Sequence, residues 1–144
     1  MQNKTFVSPT ETAFISRNVR TWLASSEDKP LTRLDFENLA ETSGLALSTI
    51  QGAYKTKQFI TGKYEAEYQF KIIYRVIANS IDERLKADEE LNQYAIWCEK
   101  SLPDLGENLR ARKIKINSLS SLLIRYDNNV EDHQIMLTLT YEVI

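Results

Sequence analysis

The chain has 144 residues, of which 42% are hydrophobic and 26% charged, and its formal net charge is −2. This length predicts one domain over residues 1–144, large enough to bury a core without disulfides or metals. The near-neutral charge gives no general attraction for nucleic acid, and no apolar run approaches the roughly 20 residues that span a bilayer. The first residues lack the apolar stretch of a signal peptide, so we expect a cytosolic protein.

Two capping boxes predict where helices begin. Residues 8–11 (Ser-Pro-Thr-Glu) combine a capping serine, a proline in the first helical position and a glutamate three residues after the serine. Apolar residues at helical spacing follow, which predicts a helix over residues 9–24. Residues 80–83 (Ser-Ile-Asp-Glu) repeat the capping pattern and predict a second helix over residues 81–99.

Strict alternation between residues 63 and 77 is the strongest structural signal in the chain. Every even position from Tyr64 to Val76 is apolar or aromatic, whereas most odd positions are polar. A period of two predicts a long strand with one face in the core and one in water, and we expect the even face to pack against both helices. A turn at Gly62 makes residues 50–77 a predicted hairpin.

Shorter strands are predicted on both sides of these elements. Residues 31–39 and 45–54 are assigned as strands, and alternation predicts three more over residues 114–116, 122–126 and 135–143. The asparagines next to Asp127 tolerate left-handed backbone, so they predict a turn before the last strand. The predicted fold class is α+β, a mainly antiparallel β-sheet with two helices packed on one face.

Nothing in the sequence favours catalysis, so we expect no enzyme activity, no cofactor and no metal. His133, the single histidine, stands beside two acidic residues in a predicted turn or strand edge and is expected to be a solvated surface residue. Cys98, the single cysteine, lies on the apolar side of the second helix and is expected to be a small buried side chain. A Cys98–His133 nucleophilic pair is the weakest alternative, because it needs a third orienting group and a cleft.

Charge is uneven along the chain. Residues 53–77 and 105–117 each carry a net +3, whereas residues 80–101 carry −3. Complementary patches suit the packing of copies of one chain around a ring, so they define the candidate interface. The candidate interface residues are Lys55, Lys57, Lys63, Arg110, Arg112, Lys113, Asp82, Glu83, Asp88, Glu89 and Glu90. Two other interpretations are open: basic strands can bind a nucleic-acid backbone, and surface lysines can keep sheet edges apart.

The order of the motifs resembles that of phage minor capsid proteins related to siphophage tail terminators. Residues 62–75 are similar to the family segment G-x-Y-x-A-x-Y-x-F-x-I-x-Y-R. Leu91 and Trp97 match a Leu-x-x-x-x-x-Trp pattern in the helix that follows, and Leu139 and Tyr141 match its Leu-x-Tyr ending. The resemblance covers roughly residues 8–144 and is weakest between residues 25 and 52.

The resemblance implies a structural virion protein. Members of this family assemble as a ring, usually a hexamer, on the end of the tail tube, where they stop tube polymerisation and provide the head–tail joining surface. The implied partners are further copies of the chain, the tail tube protein and the head-completion protein. DNA would pass through the ring channel without specific binding, and no membrane is involved. The implied location is the head–tail junction of the virion, and the host cytoplasm during assembly.

Two other functions are alternatives to this one. A head-completion or connector protein on the portal side shares the size and ring symmetry implied by the resemblance. A small binding module with no phage role would need none of these partners. Neighbouring genes for a major tail protein and a tape-measure protein would favour the terminator.

Overall fold

The computed structural model describes residues 4–31 and 33–144. Within these residues the fold has two helices, α1 (Pro9–Ala24) and α2 (Ile81–Lys100), and one seven-stranded sheet. The strands are β1 (Thr5–Phe6), β2 (Asp35–Phe36), β3 (Gly44–Thr49), β4 (Tyr54–Gln58), β5 (Tyr64–Ile77), β6 (Leu109–Arg125) and β7 (Val130–Val143). β2 pairs with β3 in parallel, and the other described pairings are antiparallel. The predicted α+β class is confirmed.

Strand β5 organises the sheet because it pairs along both of its edges. β7 pairs with its whole length on one edge, while β4 pairs with its first half and β3 with its second half on the other. β6 then pairs with the far edge of β7. The even-numbered residues from Ala66 to Tyr74 are buried, as the alternation predicts.

Both helices begin where the capping boxes predict. The Ser8 hydroxyl accepts a hydrogen bond from the Glu11 N–H at 3.1 Å, and the Ser80 hydroxyl accepts one from the Glu83 N–H at 3.2 Å. α1 has the predicted bounds, and α2 ends one residue later than predicted, at Lys100. In the part of the chain that the structure describes, neither helix is long and apolar enough to cross a membrane.

One hydrophobic cluster joins the helices to the sheet. Trp22 and Leu23 of α1 belong to it together with Tyr94 of α2 and Phe70 of β5. The Tyr94 hydroxyl donates a hydrogen bond to the Leu23 carbonyl at 2.6 Å, and the rings of Trp22 and Trp97 stack with centroids 5.1 Å apart. These contacts tie α1 to α2 directly.

Four strand predictions are wrong in extent, and a fifth, residues 135–143, is part of the longer strand β7 (Val130–Val143). Residues 31–39 contain only the two-residue β2, because the backbone turns at Glu37, whose φ is +56°; residue 32 lies outside the described residues. Residues 45–54 are divided between β3 and β4. Residues 114–116 and 122–126 belong to the single strand β6, in which four register irregularities shift the alternation and hide its continuity.

Two turns adopt the left-handed backbone that the sequence predicts. Gly62 has a φ of +89° in the β4–β5 hairpin, where the absence of a Cβ removes the steric cost. Asn128 and Asn129 have φ values of +61° and +62° between β6 and β7. The predicted hairpin is therefore present, although its first strand begins at residue 54 and not at residue 50.

Candidate functional site

The β4–β5 hairpin carries three of the predicted interface lysines. Lys57 and Lys63 are exposed near its tip, where Phe59 and Ile60 are exposed as well. Lys55 is half-buried, and its ammonium nitrogen lies 4.5 Å from the centroid of the Tyr64 ring. Two of the three lysines are therefore accessible to a partner.

The first half of β6 carries the other three predicted basic residues. Nitrogens of Arg110 and Arg112 lie 3.7 and 3.3 Å from one carboxylate oxygen of Glu142. Lys113 is exposed opposite Thr140. Exposed ion pairs contribute at most about 1 kcal/mol, so these arginines are held only weakly.

The second half of β6 is apolar and exposed. Every residue from 121 to 129 is exposed, including Leu122, Leu123 and Ile124. An exposed apolar run on an edge strand invites association, which a protein that acts alone avoids. The register irregularities and the basic first half of β6 oppose backbone pairing of this edge with another strand.

The five predicted acidic residues divide into two groups. Asp82 and Glu89 are exposed, and neither makes a side-chain hydrogen bond or ion pair within residues 4–31 and 33–144. The Glu83 carboxylate accepts a hydrogen bond from a backbone N–H in the cap of α2 at 2.7 Å. The Glu90 carboxylate accepts one from a tyrosine hydroxyl of β5 at 2.9 Å, and Asp88 contacts a histidine of β7. Three of the five therefore make contacts within the chain.

His133 is 2% exposed, so the expectation of a solvated surface histidine is wrong. Its Nδ1 lies 2.8 Å from a carboxylate oxygen of Asp88, and its Nε2 lies 3.2 Å from one of Glu131. The reason is the position of β7, which lies between β5 and β6. Odd-numbered residues from Ile135 to Tyr141 face the core, and the same parity places residues 133 and 131 on that side.

Glu131 is the centre of a buried ionic network. Its side chain is fully buried, and nitrogens of Arg84 and Arg125 lie 2.8 and 3.5 Å from one of its oxygens. The Ser120 hydroxyl donates a hydrogen bond to Asp88 at 2.6 Å, which links β6 to the same network. No buried side-chain nitrogen or oxygen among the described residues lacks a partner. Such a fully satisfied network stabilises the junction of α2, β6 and β7.

Arg75, the last residue of the segment that resembles the tail-terminator family, holds β5 to β7. Its Nε and Nη2 donate hydrogen bonds to the two carboxylate oxygens of Asp132 at 2.7 and 2.9 Å. The Tyr126 hydroxyl donates to the same carboxylate at 3.0 Å. These contacts with Asp132 raise the pKa of Arg75 and give it a structural role.

Cys98 is fully buried on the core side of α2, as predicted, and burial raises the pKa of its thiol. A raised pKa keeps the thiol protonated and poorly nucleophilic. Across residues 4–31 and 33–144, no group of three or more His, Cys, Asp and Glu side chains is placed to hold a metal ion. The polar side chains that contact one another lie in networks within the fold, and the exposed charged and apolar side chains lie on separate surfaces.

The stability of the fold is expected to fall above pH about 10. Burial, together with a hydrogen bond to Glu67, raises the pKa of Tyr54 to about 12, and burial with a hydrogen bond to Glu11 raises the pKa of Tyr64 to about 12. Burial also raises the pKa of Tyr141. Folding favours these neutral phenols, so their contribution is complete below the ordinary pKa of about 10 and is lost as the pH rises through the raised values.

Denaturant unfolding at a series of pH values, followed by circular dichroism, measures this effect. The free energy of unfolding should decline from pH about 10 upward, and the tyrosinate absorbance of the residues with raised pKa values should appear together with loss of the fold. Complete formation of tyrosinate near pH 10 in a protein that stays folded would contradict the raised pKa values.

No family model matches the chain, and no curated protein matches it. Among solved structures, one chain whose name states no function is 15% identical over 96% of this chain and 96% of its own, with a TM-score of 0.39. A similarity of this size carries no argument about function.

Proposed function

We propose that the chain is a structural protein of a phage tail. It forms a ring on the end of the tail tube, stops tube polymerisation and provides the surface that joins tail to head. The order of motifs over residues 8–144 is the basis of the proposal. The placement of the exposed apolar side chains supports it.

The structural observation that supports the proposal is the presence of exposed apolar side chains at both ends of the sheet. Phe59 and Ile60 lie at the tip of the β4–β5 hairpin, beside the first residues of β5. The apolar half of β6 pairs with the start of β7, beside the last residues of β5. Fourteen residues of extended strand separate these ends by about 45 Å. A protein between tube and head needs two such opposed surfaces.

We infer further that both helices cover the even-numbered face of β5. Ser16 of α1 hydrogen-bonds the Tyr68 hydroxyl at 2.9 Å, and Glu90 of α2 accepts a hydrogen bond from the Tyr74 hydroxyl at 2.9 Å. Both tyrosines are even-numbered, so both helices reach the sheet from one side. The odd-numbered face is polar and half-exposed.

The proposal is tested with polymerising tail tube protein and the full-length chain. The native protein should arrest growth, which electron microscopy measures as shorter tubes with a ring at one end. The Ile60→Ser variant should lose this arrest and keep the native circular dichroism spectrum, because Ile60 is fully exposed. Gln58→Ser, a change at an exposed polar neighbour, is the matched control and should arrest growth normally.

The same assay separates the alternatives. Tubes of unchanged length in the presence of the native protein would overturn the terminator proposal. Binding to purified portal complexes without binding to tubes would instead favour a head-completion or connector protein. Binding to neither would favour a small binding module without a phage role.

Reversing Arg110 and Arg112 to glutamate is expected to weaken ring or tube association while the monomer stays folded. Both side chains are exposed, and their contacts with Glu142 are of the weak surface type, so the free energy of unfolding should change by about 1 kcal/mol or less. Charge complementarity speeds association, and salt screens it beyond about 8–10 Å. Sedimentation and tube binding at low and high salt measure the effect, and values equal to native at both would contradict charge matching.

A further inference from the structure

The outer side of α2, opposite its core side, carries three exposed apolar side chains. Ile81, Leu85 and Ile96 are 72%, 55% and 43% exposed, and their spacing places them with Glu89 on one side of the helix. The buried residues of the opposite side are Ala87, Leu91, Tyr94, Ala95 and Cys98. Exposed apolar side chains grouped on the outer side of a helix are typical of a contact surface.

Charge at the centre of this face is acidic, and the exposed Lys86 and Lys100 lie at its flank and at the C-terminal end of the helix. Asp82 and Glu89 are exposed beside the apolar side chains, and neither has an ion-pair partner among the described residues. A surface that covers this face must therefore supply apolar contact and positive charge together. The α2 outer face is defined here as Ile81, Asp82, Leu85, Glu89 and Ile96.

A groove of the complementary chemistry runs along α1. It has a volume of about 360 Å³ and is lined by Ala13, Ser16, Arg17 and Arg20 of α1 and by Phe36 of β2. Arg17 and Arg20 are exposed, and one Arg20 nitrogen donates a hydrogen bond to a backbone carbonyl at 3.0 Å. The small Ala13 side chain and the exposed Phe36 ring provide apolar surface in the same groove.

We propose that the α2 outer face of one subunit occupies the α1 groove of the next subunit in the ring. Leu85 packs against Ala13 and Phe36, and Glu89 lies beside Arg17. This inference rests on the proposed ring function and names its subunit contact. Two different patches on each subunit make a heterologous contact, the type that closes into rings. The occupant is a second copy because both halves of the match, apolar and opposite in charge, are on this chain.

Charge-reversed variants test this contact. Arg17→Glu alone and Glu89→Arg alone should each raise the apparent dissociation constant of the oligomer about tenfold or more in sedimentation velocity, since like charges then meet. The two variants mixed in equal amounts should assemble again, because alternating subunits bring opposite charges to every contact. One chain that carries both substitutions should also assemble. Glu41→Arg reverses an exposed glutamate outside both patches and is the matched control.

Leu85→Ser tests the apolar part of the contact. The side chain is more than half exposed, so its loss should leave the monomer folded and weaken the oligomer. Oligomers of native size from both charge-reversed variants would overturn the contact, as would a mixture that fails to reassemble. A native protein that stays monomeric at every concentration would overturn it as well.

These measurements contain no tail tubes, so the two proposals fail separately. A native protein that oligomerises through this contact and leaves tube length unchanged would overturn the terminator function and keep the contact. Native-sized oligomers from Arg17→Glu and Glu89→Arg, together with normal arrest of tube growth, would overturn the contact and keep the function.

Discussion

Phe70→Ala is expected to lower the free energy of unfolding by about 3–5 kcal/mol. Phe70 is fully buried on the even-numbered face of β5, and its ring stacks on Tyr68 with centroids 5.6 Å apart. Its register partners are Thr49 on one neighbouring strand and Leu137 on the other. Truncation to alanine would therefore leave a cavity between three strands of the sheet. Close-packed neighbours on both strands cannot fill it without moving backbone. Denaturant unfolding followed by circular dichroism measures the loss.

Phe59→Ala makes the same chemical change at an exposed position and is the control. Phe59 lies near the hairpin tip, and its hydrogen bond to the Lys63 carbonyl comes from the backbone N–H and survives the substitution. Its free energy of unfolding should stay within about 0.5 kcal/mol of native. If Phe70→Ala also cost less than about 1 kcal/mol, the assignment of the even-numbered face to the core would be contradicted.

Elements with a strong local pattern are predictable from this sequence. The alternation that predicts β5 is preserved because the strand pairs regularly on both edges, with one irregularity opposite β4. The serines at positions 8 and 80 mark the helix starts because capping depends on backbone groups three residues away. Local chemistry decides these features, so a single sequence contains them.

Elements that depend on tertiary pairing are harder to predict. The sequence pattern predicts two short strands in place of β6, because each register irregularity moves the apolar side chains to the other face of the sheet. Glu37 turns the backbone after two residues of β2, and its carboxylate accepts hydrogen bonds from Ser48 and from the Thr49 N–H. Those partners are 11 and 12 residues away, so residues 31–39 alone give no sign of them.

The candidate interface shows the same division. The charged runs can be located from the sequence. Which of their residues make hydrogen bonds or ion pairs within the chain cannot. Asp88 contacts His133 across 45 residues of sequence, whereas Glu89, its neighbour, faces outward. His133 is odd-numbered like the buried core residues of β7, and the alternation along this strand accounts for its burial. The prediction of a solvated histidine was wrong because its charged neighbours are typical of an exposed turn.

Glu131→Gln is expected to lower the free energy of unfolding by about 1.5–3 kcal/mol, because it weakens hydrogen bonds to a buried carboxylate. The substitution preserves size and leaves Arg84 and Arg125 facing a neutral amide, beside His133. Both arginines are partly exposed, so neither is left as an unpaired buried charge, and the expected loss stays below the roughly 3–5 kcal/mol of a fully buried ion pair. Denaturant unfolding at neutral pH measures it.

Glu142→Gln is the matched comparison, because Glu142 also lies on β7 and also contacts two arginines. Its partners Arg110 and Arg112 are exposed and lie 3.7 and 3.3 Å away, so the expected loss is below about 1 kcal/mol. The two substitutions remove the same charge from the same strand, and their difference therefore measures burial. Added salt should reduce the effect at Glu142 more than the effect at Glu131, because ions screen the partly exposed carboxylate more strongly than the buried one. Equal and small losses at both positions would contradict a buried network at Glu131.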